Sequence, residues 1–264
     1  MKALKYTTET VLITGASSGL GVEFARRLAA RGANLVLVAR REGRLQALAE
    51  LLEASYGIKA IALAKDLAVP GAGTELQAEL DARDITVTSL INNAGFANYT
   101  RFTEVEPRNL HNEIAVNIDA LVELTRAYLP RFLERASGFL VNVSSIAAMQ
   151  PSPGMAAYGA SKAFVLNFTE ALWAENRHCG VRILALCPGP TDTEFFHVAG
   201  SEKADGGMKR MEPEAVVTDC LKTLEKKSPP PSRVVGTSNG VLSSLPGFLP
   251  RRVVANAMRL KMDM

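Results

Sequence analysis

A chain of 264 residues can bury the core of one large α/β domain but is short for a second, so residues 1–264 read as a single domain. The 30 basic against 27 acidic residues give +3 with no long block of like charge, which argues against a nucleic-acid partner. Cys179, Cys187 and Cys220 lack CxxC spacing, the N-terminal MKALKYTTE has no apolar leader, and no run approaches the roughly 18 apolar residues of a membrane span. No disulfide framework, metal site or membrane span is expected, and the setting is cytoplasmic.

Short, nearly continuous apolar runs alternate with longer amphipathic ones. The runs are VLITG (11–15), NLVLVAR (34–40), KAIALAKDL (59–67), TSLINNAG (88–95), GFLVNVSS (138–145), VRILALCPG (181–189) and RVVG (233–236). Runs of this kind suit strands buried on both faces of a parallel sheet. Helical patterns at Leu20–Arg31, Arg41–Ser55, Pro107–Arg135 and Met155–Asn176 lie between them. The repeated βαβ pattern predicts a doubly wound α/β fold with a seven-stranded parallel sheet and helices on both faces. A ligand then belongs at the carboxyl ends of the strands, at the topological switch point.

The first run hands over to a helix through TGASSGLG (14–21). Gly15, Gly19 and Gly21 cost conformational entropy, which is repaid where a phosphate must approach the backbone at a helix N-terminus. Gly15, Ser17, Ser18, Gly19 and Leu20 are accordingly candidate cofactor residues. In a dinucleotide-binding unit the second strand ends in an acid that holds the ribose hydroxyls. Here Arg40 stands in that place, followed by Arg41. A guanidinium there pairs with a 2′-phosphate, which selects NADP(H). The third run ends in Asp66-Leu67, suited to an adenine amino group, and the fourth in Asn92-Asn93-Ala94-Gly95, whose small residues let a cofactor lie against the backbone.

Tyr158 and Lys162 stand four residues apart, hence on one helix face. A phenol has an ordinary pKa of about 10, and a neighbouring cation favours its ionised form. Ser145, just past the GFLVNV run, is placed to bond a substrate oxygen, and Asn117 to hold a water linked to Lys162.

With these pieces assembled, the sequence resembles the short-chain dehydrogenase/reductase family. TGASSGLG, NNAG, Asn117, Ser145, Tyr158-x-x-x-Lys162 and Pro188-Gly189-Pro190-Thr191-Asp192-Thr193 match its motifs in order over roughly residues 10–195. The resemblance implies a Rossmann-fold oxidoreductase with Tyr158 as acid/base and Lys162 lowering its pKa and binding the nicotinamide ribose. It further implies that Ser145 orients the carbonyl, that Asn117 completes a proton relay, and that Pro188, Gly189, Thr191 and Thr193 cover the nicotinamide. A homodimer or homotetramer is expected by the same resemblance.

Substrate contacts are expected from Phe96, Met149, Met155, Phe195 and Phe196, with Ala97, Tyr99 and Ile146 nearby. They are mostly apolar and bring no arginine, which points to an apolar ketone, aldehyde or secondary alcohol. A 3-oxoacyl-acyl-carrier-protein reductase and a hydroxysteroid dehydrogenase are alternatives. A non-catalytic NADP(H)-binding redox sensor is the alternative of another class. Residues 194–210, rich in charge and glycine, read as a mobile lid with little apolar surface to bury. The C-terminal extension 241–264 carries an amphipathic pattern suited to covering the cleft, to a partner subunit or to a membrane surface.

Overall fold

A computed structural model of the chain describes residues 3–261. In chain order it has β1 (Thr10–Thr14), α1 (Gly19–Ala29), β2 (Asn34–Ala39), α2 (Glu42–Tyr56), β3 (Ala60–Ala64), α3 (Ala72–Ala82) and β4 (Ser89–Asn92). There follow α4 (Pro107–Ile114), α5 (Ala120–Arg135), β5 (Phe139–Val143), α6 (Ala156–Glu175) and β6 (Arg182–Cys187). The last are α7 (Phe195–Ala199), α8 (Pro213–Leu224), β7 (Ser232–Val234), α9 (Thr237–Ser244) and α10 (Arg251–Lys261). Residues 262–264 of the expected extension lie outside the described residues.

The strands form one parallel sheet in the order β3-β2-β1-β4-β5-β6-β7. The order reverses between β1 and β4, where Val11 pairs with Ser89. Strand alternation sorts the core into two layers. Val11, Ile13, Leu35, Leu37, Val141 and Leu184 face α1, α2 and α8, where Phe24, Leu28, Leu45 and Val217 meet them. Leu12, Val36, Val38, Leu90, Leu140 and Ile183 point the other way onto α3 and α5, against Leu76, Tyr128 and Phe132. The central strands are apolar on both faces because each face is covered by helices, whereas β7 at the edge is half-buried throughout.

Buried polar groups cross-link the second layer. Asn92 Nδ2 donates to Asn142 Oδ1 (2.9 Å) and to Thr125 Oγ1 (3.1 Å), and Asn142 Nδ2 donates to Thr169 Oγ1 (2.9 Å). One chain of side chains thus joins β4, β5, α5 and α6 beneath the strand ends.

Two expectations change. The strands stop short of the apolar runs, because Gly15, Arg40, Asp66, Asn93, Ser145 and Pro188 leave the ladder and turn over its end. The helix expected over Pro107–Arg135 is broken by a π turn at Ala115–Asp119, which contains Asn117.

Candidate active site

The carboxyl ends of the strands open into a cleft of about 580 Å³. At its floor β1 and β4 are stitched together by side chains. Thr14 Oγ1 accepts from the backbone N–H groups of Asn93 (3.0 Å) and Ala94 (2.9 Å), while Asn93 Nδ2 donates to the carbonyls of Thr14 (2.9 Å) and Gly15 (3.3 Å). These bonds press the glycine loop against the chain after β4. Gly15 has φ +66°, and a Cβ there would stand 2.9 Å from Ala94 Cα, so glycine meets both a backbone and a space requirement. Gly19, with φ +53°, turns away from this cleft toward Thr193, where a Cβ would come within 2.9 Å.

Ser17, Ser18, Leu20, Arg40, Asp66 and Leu67 line the cleft after β1, β2 and β3, and Ala94 and Gly95 line it after β4. Arg40 is exposed there and makes no hydrogen bond or ion pair among the described residues. Its neighbour is engaged. Arg41 Nε donates to Ser17 Oγ (3.1 Å) and Nη2 to the Ser17 carbonyl (3.3 Å), while Nη1 meets Glu194 Oε2 at 2.6 Å. Arg44 Nη1 takes the other oxygen of Glu194, also at 2.6 Å. The hydrogen bonds from Arg44 and Arg41 hold the Glu194 carboxyl down at about 2. A clasp therefore runs from the glycine loop and α2 to the segment after β6.

On the other side, α6 brings Tyr158 and Lys162 together, with Lys162 Nζ 5.6 Å from the centre of the Tyr158 ring. Lys162 Nζ donates to the Val143 carbonyl at 2.8 Å. Ser145 caps a short turn by accepting from Ala147 N–H (3.1 Å), and its hydroxyl also reaches Tyr158. Burial pushes the Tyr158 phenol up to about 12; the Ser145 hydroxyl works against this rise and the charge of Glu113 adds to it. Burial pushes Lys162 down to about 8. The phenol thus stands above its ordinary value, because loss of water is the largest influence on it.

Asn117 lies behind the cleft rather than on its wall. Its Nδ2 donates to the Phe96 carbonyl (3.0 Å) and to Ser161 Oγ (3.1 Å), and its Oδ1 accepts from Phe96 N–H (3.1 Å). The side chain is occupied in holding the loop after β4. Gly95 fits between this amide and the lysine: a Cβ would lie 3.0 Å from Asn117 Oδ1 and 3.1 Å from Lys162 Nζ.

Pro188, Gly189, Thr191 and Thr193 line the cleft after β6, and Phe96, Met155, Phe195 and Phe196 form its apolar part with Tyr158. The rings of Tyr158 and Phe195 are 5.3 Å apart. Met149, expected at the substrate, is a correction: it does not line the cleft but packs, partly buried, against Leu166, Ala185 and Cys187. The segment 194–210 carries more apolar surface than its composition suggests. Phe196, Ala199 and Ala204 are buried against Ala97, Met155 and Tyr158, so its premise of little apolar surface fails. Spaced at i and i+3, Phe196 and Ala199 give α7 one apolar face, and Arg210 covers the Phe196 ring at 3.8 Å.

Arg41, Lys65, Glu194 and Glu113 were not singled out as site residues by the sequence. Arg41 and Lys65 adjoin strand-end residues, Glu194 follows Thr193, and Glu113 precedes Asn117 by four, so adjacency was the available signal.

A parallel sheet whose order reverses at a glycine loop, with tyrosine, lysine and serine gathered beside it, defines a dinucleotide-dependent class of enzyme. Residues 9–204 match the family described as short chain dehydrogenase. The chain belongs to the short-chain dehydrogenase/reductase family of oxidoreductases. It is 39% identical over 207 residues to sulfoacetaldehyde reductase 2 of Chromohalobacter salexigens, covering 77% of this chain and 81% of that one. A short-chain dehydrogenase from Sphingobium yanoikuyae, solved in complex with NADPH, superposes with a TM-score of 0.80 at 34% identity, over 92% of this chain and 96% of that one. A 7β-hydroxysteroid dehydrogenase structure gives 0.85 at 26% identity, over 97% of this chain and 99% of that one.

Proposed function

We propose that this chain is an NADP(H)-dependent oxidoreductase that interconverts an apolar ketone or aldehyde and its alcohol, with Tyr158 as general acid/base. One juxtaposition carries the reading: a buried phenol beside Ser145 and Lys162 shares a cleft with an unengaged arginine at the end of β2. The residues present fit NADP(H). Gly15 leaves backbone exposed where a Cβ would collide, Arg40 is free for a 2′-phosphate, and Asp66 stands at the end of β3 for the adenine. Bound there, the reduced cofactor supplies the hydride.

The chain's own residues supply the rest. The Tyr158 phenol, kept protonated by burial, donates to the carbonyl oxygen, and Ser145 orients that oxygen by hydrogen bonding. Lys162 binds the cofactor ribose and returns the proton, in a path that Asn117 supports by fixing the loop at Phe96. Phe195 and Phe196 exclude water. Residues 1–264 act as one domain, 194–210 as a closing segment over the substrate and 241–264 as an extension beside it, in a homodimer or homotetramer.

The cations lining the cleft, apart from Lys162, are Arg40, Arg41 and Lys65, on the β2 and β3 side. A sulfonated aldehyde like that in the Chromohalobacter relative's name therefore meets, among the described residues of the cleft, no cation beside Tyr158 other than Lys162. A bulky substrate of the hydroxysteroid kind is the second reading, favoured by Met155, Phe195, Phe196, Met208 and Met258 along the wall.

The test is a panel of carbonyls followed at the NADPH absorbance band, beside titrations of NADPH and NADH. Tyr158→Phe keeps the ring and loses the donor, so turnover drops by about 10²- to 10⁴-fold while NADPH binding holds. Full turnover by the variant removes Tyr158 from its role. Tight NADPH binding with no turnover of any carbonyl by the wild type favours the redox sensor.

A further inference from the structure

The C-terminal helix α10 has two apolar faces, and the body of the protein covers only one of them. Val254 is buried and Met258 lines the cleft, so the inner face packs at the rim of the site. The other face looks outward. Val253 (51% exposed) and Leu260 (74%) stand seven residues apart with exposed Ala257 between them, a spacing that aligns the three along one side of the helix. In the turn that leads into α10, Phe248 (85%) and Leu249 (49%) are exposed as well. Single apolar residues on a surface need no explanation, but a set gathered on one helix and the turn before it does.

The charges around this set decide its occupant. Arg252 and Arg259, also seven residues apart, lie about a quarter turn round the helix from the apolar line, and with Arg251 they are exposed. None of the three makes an ion pair among the described residues. Between Glu225 and Asp263 the sequence holds no acid. A second copy seated here about a two-fold axis would set arginines against arginines, with no carboxylate of the same segment to offset them. An uncharged apolar partner would leave the arginines unused. An anionic bilayer meets both features: its acyl layer accepts protruding side chains of any shape, and its headgroups lie level with cations at the side of the helix. No described helix is long and apolar enough to cross a membrane, so the contact is with its surface.

We propose that α10 and the turn before it dock this enzyme on an anionic membrane surface. Phe248, Leu249, Val253 and Leu260 enter the interface, Arg252 and Arg259 meet the headgroups, and the cleft opens beside the lipid at Met258. An apolar carbonyl dissolved in the bilayer then reaches Tyr158 without crossing water. This entry route rests on the substrate reading given above; the docking does not.

The experiment sediments the full chain, without substrate, with vesicles of phosphatidylcholine alone or mixed with phosphatidylglycerol, at low and high salt. The wild type binds the anionic vesicles about tenfold more tightly or better, and salt removes the difference. Phe248→Ser combined with Leu260→Ser weakens that binding about 10²-fold, since two large apolar side chains no longer enter the lipid. Arg252→Gln combined with Arg259→Gln costs about 20-fold on anionic vesicles and little on neutral ones, and it carries the test should the serine variant not fold. Both variants titrate NADPH as the wild type does, because neither pair lines the cleft. A wild type that ignores anionic vesicles overturns the proposal, as does a serine or glutamine variant that binds them undiminished. With no vesicle binding, a sedimentation coefficient that falls in the serine variant assigns the face to a second copy, and binding of polyglutamate assigns it to an acidic protein; either overturns the proposal. Vesicle binding by a protein that turns over no carbonyl supports the docking while removing the substrate reading.

Discussion

Lys162 holds an ammonium where the fold penalises one. Burial brings it down to about 8, against an ordinary lysine value of about 10.4 in the unfolded chain. Below pH 8 both states carry the proton, and the native state bears the full cost. Between about pH 8 and 10.4 the native lysine releases its proton first, so the cost fades as pH rises. The gap of about 2.5 pH units corresponds to about 3 kcal/mol. Lys162→Met should therefore be more stable than wild type by up to that amount at pH 6 to 7, losing the advantage progressively above pH 8. Urea denaturation across this range measures it, and a difference independent of pH contradicts the account. Tyr158 has the opposite sign: raised to about 12, its neutral form favours the fold until the unfolded phenol ionises near pH 10. The buried pair is thus less stable than an apolar one would be at neutral pH, a common condition of reactive sites.

At the scale of elements, α7 decides how the cleft is covered. Phe196 is buried on one side by Met155 and Ala199 and covered on the other by Arg210, which also pairs with Asp205 (2.9 Å) and Glu202 (2.7 Å). Tyr99 N–H donates to the Ala199 carbonyl at 2.9 Å, fastening the end of α7 to the loop after β4. Phe196→Ala removes the anchor at a cost on the order of 3 kcal/mol. Amides of 196–204 should then exchange about 10²-fold faster with the sheet still protected, as hydrogen exchange measures. Equal exchange in the two proteins contradicts the anchoring role. This contrast also marks what the sequence reveals. The central strands were legible because both faces of each are apolar, and Tyr158, Lys162 and Ser145 because their spacing needs no tertiary knowledge. The packing of α7 was not legible: two phenylalanines amid charges and glycines have no period long enough to reveal a buried face. The π turn was hidden for a related reason, since its residues differ little from helical ones. Met149 was misplaced because the short turn over Ile146–Met149 sets Ile146 and Ala147 on the cleft and Met149 off it.

Across the whole molecule, the clasp of Ser17, Arg41, Glu194 and Arg44 ties the β2 side of the cleft to the segment after β6. Its members are about half exposed, which limits each ion pair to about 1 kcal/mol or less. Glu194→Gln should speed NADPH release by about three- to tenfold, with the difference shrinking at high salt as screening tightens. Stopped-flow displacement checks this, and identical release rates at low salt remove the clasp from cofactor retention. The sheet order has a consequence of its own for synthesis. β1 pairs with β2 early, but its other neighbour is β4, with Val11 opposite Ser89. While the ribosome is still making the chain before β4, the strand destined for the centre of the sheet is an open edge. Its second apolar layer also waits for α5 to cover Leu12. Such an edge invites pairing with other nascent chains, so the interval before β4 emerges is when this protein most needs a chaperone.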